Sequence, residues 1–116
     1  MAVIAPLALS EDGEAINVDG DRAAAMVAAA LCADTLVILS NVPGLLADVR
    51  DERSLVRRLA AGEVAEHETR VTGGMRRKLM GAREALGSGV RRVILADGRC
   101  AHPLRAALSE EGTVIA

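Results

Sequence analysis

The chain contains the stretch Thr35-Leu36-Val37-Ile38-Leu39-Ser40, in which every residue between the two hydroxyl-bearing ends is apolar. A short, continuous apolar run of this kind is typical of a strand that is buried on both faces of a parallel sheet. The preceding segment, about Arg22 to Ala33, is rich in alanine, and Asp19-Gly20-Asp21 offers an N-cap for a helix there. A helix followed by a buried strand predicts an α/β layer structure.

The same pattern continues on both sides of this stretch. Upstream, Val3–Leu9 and Glu14–Val18 flank a Gly-containing turn and predict an N-terminal β-hairpin. Downstream, the residue spacing predicts an amphipathic helix over Gly74–Leu86, a strand over Arg92–Ala96, a helix from Pro103 to about Leu108 and a strand over Thr113–Ile115. The predicted fold is α/β, with a largely parallel sheet and flanking helices, in one domain spanning residues 1–116.

The segment between residues 48 and 70 is the most polar part of the chain. Ser54–Leu59 is compatible with either a helical turn or a short edge strand, whereas Glu63–Thr69 is expected to be a helix with a solvated charged face. Ligands collect beyond the carboxyl ends of parallel strands. The loops Ser40–Gly44 and Asp97–Cys100 follow two such strands and are therefore candidate parts of a binding site.

The composition argues against several classes of protein. Charged residues make up 26% of the 116 residues and the net charge is −2, unlike the basic surface of a nucleic-acid binder. No apolar run approaches the roughly 18 residues of a membrane span, and Met1–Pro6 lacks the cationic flank of a signal peptide. Cys32 and Cys100 have no metal-ligand spacing, so we expect reduced, buried thiols in a cytoplasmic protein. The chain has no aromatic residue, so the base of any bound nucleotide would lie between aliphatic side chains.

Lys78 is the only lysine, whereas the other thirteen basic residues are arginine. It stands in Val71-Thr72-Gly73-Gly74-Met75-Arg76-Arg77-Lys78, where a helical pattern begins. An ammonium beside a glycine-rich helix start is suited to binding phosphoryl oxygens. Compositional bias is the alternative explanation for a single lysine. Arg76 and Arg77 are interpreted as solvated, and His67 and His102 as surface or capping residues.

Asn17, Asp19 and Asp21 alternate where the hairpin runs into its helix. Either aspartate alone is explained by helix capping, and Asn17 by an ordinary turn. One cap needs only one acidic side chain, however, and a buried carboxylate near Lys78 would keep that lysine charged and oriented.

Three motifs stand together in order: Asn17-Val18-Asp19-Gly20-Asp21-Arg22-Ala23-Ala24, Ser40-Asn41-Val42-Pro43-Gly44-Leu45 and Gly73-Gly74-Met75-Arg76-Arg77-Lys78. This set resembles the C-terminal, ATP-binding half of the amino acid kinase family, in its acetylglutamate kinase and LysW-aminoadipate kinase branch. The resemblance extends from Val3 to Ile115, and it implies that residues 1–116 are a single nucleotide-binding subdomain of an amino acid kinase-like fold. It implies phosphoryl transfer from ATP, with Mg²⁺ held mainly by the nucleotide phosphates, to a carboxylate of a small amino-acid or carrier-protein-linked substrate.

The resemblance also implies roles for individual residues. Asn17 matches a substrate contact, Asp21 the aspartate that orders the catalytic lysines, and Lys78 the lysine that stabilises the transferring phosphates. It further implies a nucleotide site formed by Ser40, Asn41, Val42, Gly44, Leu45, Gly73, Gly74, Met75 and Lys78, with no protein metal site.

Two departures from the family pattern limit what this chain is expected to do alone. The family usually has aspartate at Asn41, and its N-terminal half, with a second catalytic lysine, has no counterpart here. We therefore expect nucleotide binding with poor activity. The alternatives are a stand-alone nucleotide-binding module, or a structural module that retains the motifs by descent. Half of such a fold would expose an apolar sheet edge and face, which predicts a homo-oligomer.

Overall fold

The computed structural model describes all residues from Met1 to Ala116. Its strands are β1 (Leu7–Leu9), β2 (Ala15–Asn17), β3 (Thr35–Ser40), β4 (Arg58–Leu59), β5 (Arg92–Asp97) and β6 (Gly112–Ile115). Its helices are α1 (Gly20–Ala30), α2 (Val64–Arg70), α3 (Gly73–Gly87) and α4 (Pro103–Leu108). Two short 3₁₀ turns, Glu52–Ser54 and Ala61–Glu63, precede β4 and α2 respectively.

The main sheet has the strand order β3-β5-β6-β4. Strands β3 and β5 are parallel, with Thr35 opposite Arg92 and Ser40 opposite Asp97. Strand β4 is parallel to β6, whereas β6 runs antiparallel to β5. Strands β1 and β2 form a separate antiparallel hairpin. The predicted α/β fold with its N-terminal hairpin and mainly parallel sheet is confirmed.

Helices cover both faces of the main sheet, as the continuous apolar pattern of β3 and β5 requires. Alternate side chains of β5 point to opposite faces: Val93 and Leu95 join the larger core cluster, whereas Ile94 and Ala96 pack with Ala107 of α4. The larger cluster also contains the buried positions of α1 and α3, which are Ala25, Ala28, Leu79, Ala82 and Ala85. The four alanines of this set let the two helices approach the sheet and each other closely.

The structure of the polar segment between β3 and α3 decides between the helical turn and the edge strand that its sequence allowed. Residues Arg58–Leu59 form an edge strand of the main sheet, which is one of the two structures that the sequence allowed. The charged face of α2 is not wholly solvated, because Glu68 is only 9% exposed and accepts a 3.1 Å hydrogen bond from Arg83 of α3. The sequence pattern of α2 alone could not reveal this partner on another helix.

The prediction of buried thiols is wrong. Cys32 and Cys100 are both free and exposed. Cys32 has φ +51° in the turn that follows α1, and Cys100 lies in the loop after β5. Both cysteines thus lie in surface connections, where a thiol packs against no core. None of the four helices combines the length and the apolar character that a bilayer span requires.

Candidate functional site

A cavity of about 630 Å³ lies beyond the carboxyl end of β3, between the loop that leaves this strand and helices α2 and α3. This volume falls within the usual range for small-molecule sites. Most of the residues predicted from the second and third motifs line it. Its walls are formed by Ser40, Asn41, Val42, Gly44, Leu45, Leu46, Ala47, Val49, His67, Arg70, Val71, Thr72, Gly74, Met75 and Lys78.

The loop after β3 is held by hydrogen bonds at both ends. At its start, the Ser40 hydroxyl donates to the Val42 carbonyl at 3.1 Å. Further along, the backbone N–H of Leu45 donates to Oγ1 of Thr113, a fully buried residue of β6, at 2.8 Å. Gly44 beside it has φ +156°, and a Cβ there would lie 2.6 Å from the same Oγ1. Glycine is therefore required for the loop to approach β6, and Thr113 positions one wall of the cavity.

The opposite wall begins with the N-terminus of α3. Thr72 precedes this helix without forming a side-chain cap, and the first turn contains no acidic residue. Gly74 and Met75 of that turn line the cavity. Uncapped N–H groups and the positive end of a 15-residue helix therefore lie at the cavity wall, an arrangement that suits anions.

Lys78, in the second turn of α3, is held by a carboxylate of α1. Its Nζ donates to Oδ1 and Oδ2 of Asp21, both at 3.1 Å, and the two side chains are only 18% and 20% exposed. Fixing the ammonium between two oxygens restricts it to the cavity wall. The structure thus brings together Asp21 and Lys78, which are 57 positions apart in the sequence.

Asp19 has a different partner from Asp21. Its side chain accepts from the backbone N–H of Arg22 at 3.1 Å, which confirms the predicted N-cap. It also lies 3.3 Å from the guanidinium of Arg77, so Arg77 is exposed but paired with α1. Arg22 adds a further bridge between the helices, with 2.7 Å to Glu84. Three ion pairs therefore tie the start of α1 to α3 around the Lys78 ammonium.

Some of the predicted residues do not line the cavity. Asn17 is exposed at the end of β2. Gly73, with φ +59°, is the first residue of α3, where the chain turns into the helix. The loop after β5 is adjacent to the loop after β3, since Gly98 N–H donates to the Ser40 carbonyl at 2.7 Å. Residues 97–100 nevertheless do not line the cavity.

Asp97 is held by Arg99 in this neighbouring loop. Hydrogen bonds from the Arg99 side chain and backbone lower the pKa of Asp97 from 3.8 to about 2. In the cavity loop itself, the Arg50 side chain and backbone likewise lower the pKa of Asp48. Both aspartates therefore serve as anionic loop anchors near neutral pH.

Sequence reasoning missed several residues that line the cavity. His67 and Arg70 belong to α2, whose polar pattern indicated only a solvated helix, yet both line the cavity. Val49 and Val71 come from irregular segments that have no periodic signal. Arg70 and Lys78 are the permanent cations of the lining, which contains no aspartate or glutamate, and their carboxylate partners, Glu66 and Asp21, lie outside it.

Comparison with known proteins identifies relatives of this arrangement. The family model described as "Amino acid kinase family" matches residues 1–97. A [LysW]-aminoadipate kinase of Deinococcus radiodurans is 50% identical over 115 residues, which cover 99% of this chain and 39% of that protein. An acetylglutamate kinase of Clostridioides difficile is 41% identical over 106 residues, covering 90% of this chain and 37% of that protein. The chain spans about two fifths of the length of these curated relatives.

Solved structures share the fold. N-acetylglutamate synthase from Neisseria gonorrhoeae, complexed with coenzyme A and L-arginine, superposes with a TM-score of 0.82 at 32% identity, over 96% of this chain and 26% of that one. Carbamate kinase from Giardia lamblia bound to AMP-PNP gives a TM-score of 0.71 at 23% identity, over 91% of this chain and 35% of that one. The second likeness is one of fold alone.

Proposed function

This chain belongs to the amino acid kinase family, and on that basis we propose that it is the ATP-binding, C-terminal portion of a cytoplasmic kinase that phosphorylates an amino-acid carboxylate. The substrate is N-acetylglutamate, or aminoadipate or glutamate linked to the carrier protein LysW, in arginine or lysine biosynthesis. The single observation that carries the proposal is the Lys78 ammonium held between both oxygens of Asp21 at the wall of a cavity whose lining contains no carboxylate.

Phosphoryl transfer to a carboxylate requires mainly that the reactants are positioned and that the developing charge is stabilised. A carboxylate oxygen of the substrate attacks the γ-phosphorus, the bond from that phosphorus to the β–γ bridging oxygen breaks, and an acyl phosphate and ADP are formed. Negative charge on the transferring group is stabilised by nearby cations and helix N-terminal N–H groups. Lys78 and the uncapped start of α3 supply these in one place.

The cavity lining fits a metal that arrives with the nucleotide. It offers hydroxyl and amide oxygens but no carboxylate, so Mg²⁺ would be held mainly by the phosphates. Mg²⁺ bound with the nucleotide would neutralise part of the phosphate charge. Asn17, at the end of β2, is assigned to the substrate side of the site, outside the nucleotide cavity.

A second candidate function is a nucleotide-binding or oligomerisation module without kinase activity. The observation that favours it is the single lysine, since the family's second catalytic lysine has no counterpart in this sequence. On this alternative the cavity binds ATP or ADP, but the chain transfers no phosphoryl group. Even under the main proposal, the chain alone is expected to be poorly active.

The proposal is tested by calorimetric titration of the purified chain with MgADP and a non-hydrolysable ATP analogue. Lys78→Ala should weaken binding roughly tenfold or more, because a charge-assisted contact contributes about 1.5–3 kcal/mol. The fold should persist, since the Lys78 side chain lies at the cavity wall rather than in the core. Arg76→Ala is the matched control, because Arg76 is an exposed residue of the same helix outside the cavity.

The outcomes separate the candidates. If the folded chain binds no nucleotide, the proposal is wrong and the chain is better explained as a structural module. If Lys78→Ala loses stability as much as it loses binding, Lys78 has a structural role. If binding is observed, the N-terminal portion of a relative is added and acyl phosphate is trapped with hydroxylamine. Nucleotide binding without hydroxamate formation in the reconstituted mixture would favour the non-catalytic module.

A further inference from the structure

The cavity contains a planar cation that the proposed function does not use. Arg70, the last residue of α2, lines the same cavity as Lys78. The inference below rests on the proposed function, because it assumes that a nucleotide binds in this cavity. It adds a role for Arg70 in recognising the base.

A nucleobase in this cavity has few partners to stack on. The chain has no Phe, Tyr or Trp, and the apolar part of the lining is aliphatic, including Val42, Leu45, Val71 and Met75. Besides aromatic rings, the guanidinium plane of arginine is the side-chain group that stacks well on a base. Arg70 is the single arginine of the lining. His67, three residues earlier on α2 and thus on a neighbouring face, adds an imidazole ring.

Arg70 and Lys78 are eight positions apart in the sequence, on different helices. Val71 and Thr72, which connect α2 to α3, are both extended. Each extended residue advances the chain by roughly 3.3 Å, and Lys78 lies more than one turn further along α3. If the phosphates lie at Lys78 and along the start of α3, this spacing leaves room for the base beside Arg70.

The known partner of Arg70 leaves its stacking surface free. One terminal nitrogen donates to Glu66, one turn earlier on α2, and both side chains are more than 60% exposed. Hydrogen bonds engage the edge of a guanidinium, so its faces stay available for a planar ligand. The ion pair therefore orients Arg70 without occupying it, and a pair this exposed contributes little to stability.

We propose that Arg70 is a specificity-determining residue that stacks its guanidinium plane on the base of the bound nucleotide, in place of the aromatic ring that this chain lacks. Lys78 and the α3 N-terminus hold the phosphates, whereas Arg70 recognises the planar base. Lysine at position 70 would keep the charge but lose the plane.

The test compares ADP with inorganic tripolyphosphate, which has the phosphate chemistry without a base. Affinities of both are measured by calorimetry in the presence of Mg²⁺ for the wild-type chain, Arg70→Lys and Arg70→Ala. Arg76→Lys is the control, since it makes the same exchange outside the cavity. Circular dichroism and thermal unfolding check that each variant is folded.

We expect Arg70→Lys and Arg70→Ala to weaken ADP binding by about threefold to fivefold, the range of an exposed cation–π contact. Tripolyphosphate affinity should be unchanged in Arg70→Lys and reduced in Lys78→Ala. If Arg70→Lys binds ADP with wild-type affinity, the inference is overturned while the proposed function stands. An equal loss of affinity for ADP and tripolyphosphate also overturns the inference, because it would make Arg70 a phosphate contact. A wild-type chain that binds neither ligand overturns the proposed function, and this inference with it.

Discussion

Asp19 and Asp21 stand two residues apart and have different partners, and the reason is geometric. Asp19 precedes the first turn of α1, so its carboxylate accepts a hydrogen bond from the backbone N–H of Arg22, which has no partner within the helix. Asp21 lies inside that turn and projects toward α3, where Lys78 meets it at 3.1 Å. The sequence shows that two acidic side chains are present where one would suffice to cap the helix. It does not show the identity of the partner, because that depends on how α1 and α3 cross.

Asp97 gives a residue-scale prediction for the pH dependence of stability. Hydrogen bonds from Arg99 lower its pKa from the ordinary 3.8 to about 2 in the folded chain. A carboxyl with a lowered folded pKa stabilises the fold above its unfolded pKa, and this contribution is lost as the pH falls toward 2. Asp97→Asn should therefore be less stable than wild type at pH 6, and the difference should disappear near pH 2.

Urea unfolding at a series of pH values checks this expectation. Glu11→Gln is the matched control, because Glu11 lies in the exposed hairpin turn and forms no ion pair. A stability difference between wild type and Asp97→Asn that stays constant from pH 6 to pH 2 would show that the Arg99 pair does not act on folding.

The approach of α1 to α3 determines whether the lysine and its carboxylate can meet. Gly81 lies one turn beyond Lys78, and a Cβ on it would be 3.0 Å from the backbone carbonyl oxygen of Asp21. The two helix backbones are therefore in contact at this point, which brings the Asp21 side chain within hydrogen-bond distance of Nζ. A glycine in a helix interior is otherwise unfavourable by about 1 kcal/mol relative to alanine.

We predict that Gly81→Ala pushes the two helices apart. Overpacking of this kind costs about 1–3 kcal/mol, part of which is offset by the better helix propensity of alanine. Nucleotide affinity should fall together with stability, because the Asp21–Lys78 pair is displaced. Gly87→Ala is the control on the same helix, since open space surrounds Gly87. Urea unfolding and calorimetry measure the two effects, and equal stability for the two variants would contradict the close approach.

At the level of elements, the periodic segments were predictable and the irregular ones were not. The apolar run of β3 and the three- to four-residue spacing in α3 predicted both elements to within a residue or two. The cavity wall, by contrast, uses Val49 from a loop and Arg70 from a short polar helix. Thr113 lies in a predicted strand, but its bond to Leu45 joins residues 68 positions apart. Such contacts are set by tertiary packing, which leaves no local pattern.

At the scale of the whole molecule, the N-terminal hairpin exposes apolar side chains on both of its faces. Leu7 and Leu9 of β1 are 63% and 74% exposed, and Ile16 of β2 is 46% exposed. The hairpin pairs with no other strand, and a two-stranded hairpin has little stability of its own. Strand β3 also forms an edge of the main sheet with six residues and one unpaired side. Surfaces of these two kinds favour association.

We therefore predict that the isolated chain forms a dimer or larger oligomer through the hairpin. Light scattering across micromolar concentrations should give a mass above that of one chain, because burying the exposed leucines releases roughly 25 cal/mol per Å² of apolar area. Leu9→Asp should shift the population toward monomer, since a buried carboxylate without a partner is unfavourable. Leu104→Asp is the control, because Leu104 is also an exposed leucine, at 56%, but lies on α4, away from the hairpin. A monomer at every concentration would refute the prediction, whereas an oligomer that Leu104→Asp dissociates and Leu9→Asp does not would place the interface on α4.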